Sequence, residues 1–174
     1  MTAERLLVLI RHGRAESMAG TDTQRKLTER GRHEVAETGR WLARLLDGRR
    51  PDRALVSTAE RTRATWVHLA EAAGWSADVA DFDYALYGGE YTTVLDLIEG
   101  TDDSVELLVV VGHNPLIAQL AQLLQDGEGE PEAAAALTRG YPPGTVTVFE
   151  GSGAWKDGFS GRLVGYFTPA EGPE

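Results

Sequence analysis

The 174-residue chain contains no cysteine. That excludes disulfides, a thiolate nucleophile and thiolate metal sites, and it fits a reducing compartment. Long apolar runs are also missing. The run at residues 6–10 is far too short to span a bilayer, and residues 1–5 have no basic region followed by an apolar core of signal-peptide length. The reading is a soluble, cytoplasmic protein with no membrane partner. Positive charge is scarce: 17 Lys and Arg stand against 27 Asp and Glu, a formal net charge of −10. General affinity for nucleic acid or an anionic surface is therefore not expected, and any anion site must be a local concentration of arginine in an acidic whole. The sequence also lacks internal repeats, low-complexity tracts and an interdomain linker. With 42% hydrophobic and 25% charged residues, it reads as one domain over residues 1–174, with a frayed tail at 168–174.

What is present is a set of apolar runs ending abruptly in polar clusters. Leu6, Leu7, Val8, Leu9 and Ile10 give way to Arg11, His12, Gly13 and Arg14; Leu107, Leu108, Val109, Val110 and Val111 give way to Gly112, His113, Asn114 and Pro115. Unbroken apolar runs of this length read as strands buried on both faces, as in a parallel sheet. Ala54, Leu55 and Val56 form a shorter strand before Ser57 and Thr58. Between the first two strands, Thr28 suits an N-cap, and Val35, Gly39, Leu42 and Leu46 recur at helical spacing until Asp47 and Gly48. A second helix carries Trp66, Val67 and Leu69 and stops near Gly74. A short strand is expected around Val79, then a helix built on Val94, Leu95, Leu97 and Ile98 after the break at Gly88 and Gly89. Pro115 suits the first position of a helix continued by Leu116, Leu120 and Leu124. No structure is assigned to the acidic connection at residues 125–139. The alternating residues 145–149 read as an edge strand, forming a hairpin with residues 163–167. The fold class is α/β: a three-layer α/β/α sandwich with a largely parallel central sheet.

In such a sheet, ligands bind beyond the carboxyl ends of the strands. Three strand ends there supply Arg11, His12 and Arg14; Ser57 with Arg61 one turn into the following helix; and Gly112, His113 and Asn114. Arg11-His12-Gly13 alone is weak, equally readable as a strand surfacing into a charged turn. Two imidazoles and at least two guanidiniums after three successive strand ends are harder to obtain by accident, and they suit a phosphoryl group. A neutral imidazole can attack phosphorus, so His12 is the candidate nucleophile. Arg11, Arg61 and His113 would stabilise charge on the equatorial oxygens without a metal or other cofactor. Arg14 and Asn114 are further candidate phosphate contacts, although Arg14 could equally line the rim.

The order and spelling of these pieces resemble the histidine phosphatase superfamily, the branch with phosphoglycerate mutases, and within it the short SixA-type phosphohistidine phosphatases. Arg11-His12-Gly13 looks like the family signature, with His12 on the phosphorylated histidine. Residues 57–65, Ser-Thr-Ala-Glu-Arg-Thr-Arg-Ala-Thr, are similar to its second motif and place Arg61 on the second phosphate-binding arginine; Gly112-His113-Asn114-Pro115 matches its second histidine segment. Lesser similarities at residues 26–31, 86–87 and 141–144 extend the likeness over nearly the whole chain. The resemblance implies a phosphoglycerate mutase-like fold and cofactor-independent phosphatase activity through a phosphohistidine intermediate. Two departures stand out. Thr58 replaces a proline common in the family, and the acidic proton donor of the larger branches has no firm equivalent. Glu90 is the nearest candidate for that donor, against the plainer reading of a solvated glutamate at a helix start.

The expected substrate is phosphohistidine on a partner protein domain; a small phosphorylated metabolite is the alternative. Two other classes compete. A phosphate-binding module without turnover would typically lose a histidine, and both are present. A metal hydrolase using His12 and His113 would have to hold a dication among arginines with no carboxylate at ligand spacing. His33 and His68 read as surface or packing histidines, Trp41 and Trp66 as packing. Ser57 lacks a Gly-x-Ser-x-Gly elbow, so it reads as a helix cap or a hydrogen-bonding residue of the site.

Overall fold

A computed structural model describes residues 3–17 and 20–169. The strands are β1 (Glu4–Arg11), β2 (Arg53–Ser57), β3 (Ala80–Asp83), β4 (Leu107–Gly112), β5 (Val146–Ser152) and β6 (Arg162–Phe167). The helices are α1 (Glu29–Leu46), α2 (Glu60–Ala73), α3 (Ala85–Gly88), α4 (Tyr91–Glu99), α5 (Leu116–Leu124) and α6 (Pro131–Arg139). They build one six-stranded sheet in the order β3-β2-β4-β1-β5-β6. The first four strands in that order are mutually parallel, and β5 and β6 add antiparallel pairs.

Side-chain alternation along the buried strands divides the core into two layers. Leu7, Leu9, Leu108 and Val110 face one side with α4, α5 and α6 (Val94, Ile117, Leu137), while Leu6, Val8, Ile10, Val109 and Val111 face the other with α1 and α2 (Leu42, Trp66, Leu69). The α/β/α sandwich expected from the sequence is the observed fold. Among the described residues, no helix is long and apolar enough to cross a membrane.

Local chemistry accounts for most boundaries. The Thr28 hydroxyl caps α1 by accepting from the Gly31 N–H, and Asp47 ends it in a left-handed conformation. Gly74, at φ 75°, closes α2 where an L side chain would be strained. Several expectations need correction. The strand at residues 145–149 is not an edge: β5 lies between β1 and β6, and β6 takes the edge. Alternation misled here because Thr145 and Thr147 are fully buried, their hydroxyls bonded to Thr168 and Tyr141. The unassigned acidic connection contains α6, whose Ala133 and Leu137 are buried. Pro115 stands at the N-cap rather than the first helical position of α5. The strand expected around Val79 begins one residue later, after a 3-10 turn at Ala77–Val79. The frayed tail fails for Thr168, hydrogen-bonded to Thr145, and for buried Pro169; residues 170–174 lie outside the described residues.

The edge strand β3 carries Phe82, 44% exposed, with the Arg63 guanidinium 4.0 Å from its ring centre, and Asp81, paired to Arg53 at 2.7 Å. On the opposite side of α2, the backbone meets α1 at Gly39: a Cβ there would run into the Leu69 carbonyl. Gly39→Ala should therefore destabilise the protein by about 2 kcal/mol through overpacking, although alanine gains about 1 kcal/mol of helix propensity over glycine. Urea denaturation measures this, and an unchanged midpoint would mean that the two helices part freely.

Candidate active site

Strand register sets the site. Arg11 pairs with Gly112 across β1 and β4, and Val56 pairs with Val111 across β2 and β4, so Arg11, Ser57 and Gly112 stand at one level. The residues that follow, His12 and His113, leave the sheet side by side with ring centres 5.2 Å apart. β1 ends there, after a last ladder bond at His12, because its chain is drawn toward α2 at Gly13. The His12 N–H donates to the Gly112 carbonyl, and the Gly13 N–H donates to the Thr65 hydroxyl on α2. Gly13 is required by packing, since a Cβ would lie 2.6 Å from Val35.

The His12 tautomer follows from its partner. Nδ1 lies 2.7 Å from the Gly13 carbonyl oxygen, which can only accept, so Nδ1 carries the proton and Nε2 keeps its lone pair. Burial pushes the His12 pKa down to about 3, with His113, Arg61 and Arg11 adding repulsion of a second proton. His113 is pushed down to about 4, first by burial, then by Arg61, with Asp22 opposing. Ser57, fully buried, holds His113 through a 2.7 Å contact between Oγ and Nε2; of its two expected roles it takes the one within the site, and Ala59 occupies the N-cap of α2.

Arg11 donates from Nη1 to the Tyr141 carbonyl (3.0 Å), and burial lowers its pKa. Arg61, 6% exposed, is held by Asp22 at the main-chain carbonyl (2.8 Å) and at Oδ2 (3.0 Å). Among the described residues, three buried side-chain nitrogens have no hydrogen-bond partner: Arg11 Nε, Arg61 Nε and His113 Nδ1. Each belongs to one of the four residues expected to handle the phosphoryl group. No group of three or more His, Asp or Glu side chains among the described residues could hold a metal ion.

The remaining expected residues stand differently. Arg14 Nε donates to both carboxylate oxygens of Glu34 (2.9 and 3.1 Å), which also receives Arg30. Asn114 uses its amide to tie the loop, donating to the Tyr141 carbonyl and accepting from the Ala118 N–H. Glu90 is exposed at the N-cap of α4 and makes no side-chain capping bond. His33 is exposed and His68 half-buried. Sequence reasoning missed Asp22, whose carboxylate also accepts from Tyr87 Oη (2.7 Å) and Arg25 (3.2 Å) and is held down to about 2 by Tyr87 and Arg61. It sits in an aperiodic polar stretch where no local signal distinguishes it. Tyr141 falls only within the lesser similarity at residues 141–144, which gives it no role: its buried hydroxyl donates to the Leu9 carbonyl while its own carbonyl receives Arg11 and Asn114.

Comparison with known proteins fits this geometry. Residues 7–82 match the model of the histidine phosphatase superfamily (branch 1). An uncharacterized protein of Mycobacterium tuberculosis is 34% identical over 164 residues, covering 92% of this chain and 99% of that protein. The structure of a putative phosphohistidine phosphatase SixA from Nakamurella multipartitia superposes with a TM-score of 0.79 at 30% identity, covering 97% of this chain and 98% of the other. A phosphohistidine phosphatase SixA homolog of Haemophilus influenzae is 29% identical over 129 residues, 66% of this chain and 73% of that protein.

The lowered imidazole pKa values have a direct consequence. Both site histidines should stay predominantly neutral on going from pH 8 down to pH 5, where a free imidazole would be mostly protonated. Nitrogen-15 NMR of the two rings reads this; a His12 titration midpoint near that of free imidazole, about 6.5, would show that burial and the arginines do not govern it.

Proposed function

The chain belongs to the histidine phosphatase superfamily, and we propose that it removes phosphate from phosphohistidine on a partner protein through a covalent intermediate at His12. The observation that carries this reading is the set of three buried nitrogens without partners, Arg11 Nε, Arg61 Nε and His113 Nδ1. A buried unpaired polar group costs about 1–3 kcal/mol, more when charged, and a phosphoryl dianion would offset that cost for all three at once.

The chemistry follows from the tautomers. His12 Nε2 attacks phosphorus, forming an N–P bond as the bond to the leaving group breaks and takes its electron pair with it. Water then attacks the phospho-His12, the N–P bond breaks, phosphate departs and Nε2 recovers its lone pair. The leaving group takes a proton from solvent as it departs; of the attacking water's two protons, one stays on the released phosphate and the other returns to solvent. In the proposed arrangement the Ser57 hydroxyl, 2.7 Å from His113 Nε2, donates to it, which puts the proton of the neutral ring on Nδ1, available to an equatorial oxygen.

Substrate class is inferred from the acid. Asp22, the carboxylate bonded to Arg61, is held ionised by its donors and has no proton to give at neutral pH. Glu90 is exposed and outside the hydrogen-bonded cluster. A site so furnished favours a leaving group that is readily protonated, and the imidazole of phosphohistidine meets that need better than an alkoxide from a sugar phosphate. The similarity, at 30% identity, to the putative phosphohistidine phosphatase SixA of Nakamurella multipartitia supports the same class.

Three outcomes test the reading. His12→Ala should abolish turnover, and rapid quench with labelled substrate should trap acid-labile phosphate on His12 of the parent; label on another residue refutes the nucleophile. Arg61→Ala or His113→Ala should lower kcat/KM about a hundredfold by removing transition-state charge stabilisation. In a panel at equal concentration, with excess chelator, a phosphohistidine protein domain should turn over faster than phosphoserine peptides or sugar phosphates. Faster hydrolysis of a sugar phosphate would make the protein a small-molecule phosphatase.

A further inference from the structure

Arg61 is needed by the phosphatase reading, yet little of α2 holds its guanidinium. Arg61 is the second residue of that helix, and its long side chain is buried, with 7% of its surface exposed. Its hydrogen bonds go to the loop after β1, while the Tyr87 ring centre lies 6.0 Å from the guanidinium carbon. The Asp22 main-chain carbonyl takes a hydrogen bond from Nη1, and Asp22 Oδ2 takes one from Nη2. Two bonds from the paired terminal nitrogens engage the end of the guanidinium fork, and the plane of the group is then set. Nε lies on its side edge, buried and without a protein partner.

We propose that Asp22 is a positioning residue of this site, holding the end of the Arg61 guanidinium so that its Nε edge is presented to the phosphoryl group. This rests on the phosphatase reading and adds to it a residue that touches no reacting atom. Asp22 is itself held from several directions. Tyr87 donates to Oδ2 and Arg25 to Oδ1, so both carboxylate oxygens are engaged. Arg25 is anchored in turn through Nε to the Glu16 carbonyl, and the short turn beginning at Asp22 is closed by reciprocal bonds between Thr21 and Gln24. Tyr87 packs its ring edge-on to His113, 5.5 Å between centres, so the same tyrosine touches the second histidine and the carboxylate that orients the second arginine.

Two rival roles fit less well. A proton donor must hold a proton, and three donors around Asp22 favour its ionised form. A competitor for Arg61 would occupy the edge the phosphoryl group needs, whereas Asp22 occupies the end of the fork and leaves Nε alone.

Calorimetric titration with inorganic phosphate distinguishes these roles, using the parent, Asp22→Ala, Tyr87→Phe, Arg61→Ala and the double variant Asp22→Ala/Arg61→Ala. The parent and Tyr87→Phe should both bind, the latter about twofold to threefold more weakly, and Asp22→Ala should bind about tenfold more weakly. In the double variant phosphate should bind no more weakly than in Arg61→Ala alone, because Asp22 acts only through Arg61; a merely structural loss would instead add to the loss from Arg61. Unchanged or tighter binding by Asp22→Ala, or additive losses in the double variant, would overturn the inference while leaving the phosphatase reading intact. Tyr87→Phe, which removes one hydroxyl, keeps the test valid if Asp22→Ala does not fold: binding equal to the parent's would then overturn the inference. Absence of phosphate binding by the parent would instead remove the phosphatase reading and the inference with it.

Discussion

Everything at the site depends on the parallel register of β2, β4 and β1. Three strands that are apolar on both faces can be buried only between two helical layers, and that burial fixes their alignment because a one-residue slip would exchange the two faces of each strand. The register that satisfies the core also brings Arg11, Ser57 and Gly112 level. The register brings His12 and His113 side by side, and the contacts of each ring with the Gly13 carbonyl and Ser57 hold the rings with centres 5.2 Å apart. Packing deep in the sheet therefore brings together side chains that lie beyond it.

Electrostatics then sets the state of those side chains. Two guanidiniums beside two half-buried rings would be an unstable combination if the rings were charged, and desolvation with like-charge repulsion keeps them neutral. The acidic character of the whole chain does not reach the site evenly. Asp22 balances Arg61 at its outer end, and Glu34 balances Arg14 and Arg30. The buried inner edges of Arg11 and Arg61 are left without protein acceptors. Local pairing thus produces a small cationic spot on a protein of net charge −10.

The sequence made legible what short-range pattern encodes. Five-residue apolar runs located β1 and β4, and Thr28 and Gly74 located helix ends, because each rests on one residue's local preference. The expected residues Arg11, His12, Arg61 and His113 could be brought together from the sequence because each lies at a strand end or within one helical turn of it. Asp22 could not, since its meeting with Arg61 spans 39 residues and depends on where an irregular loop folds back. Arg14 and Asn114 were marked by type and proximity, but type does not tell which partner a side chain takes, and they bond Glu34 and the Tyr141 carbonyl. β5 was misplaced for a related reason: alternation normally signals one wet face, but buried threonines with satisfied hydroxyls produce the same pattern.

The free edge at β3 bears on how the protein behaves when crowded. An exposed strand edge invites pairing with another chain, and an aromatic residue in its middle would strengthen such an encounter. Here Phe82 is flanked by Asp81 and Asp83 and lies beneath the Arg63 guanidinium, while Asp81 is tethered to Arg53. Any incoming strand would bring its own backbone against two carboxylates and would have to displace a stacked cation. The edge strand next to β2 is in this way protected against self-association by charge, so that neutralising those few side chains would favour aggregation without touching the core or the candidate site.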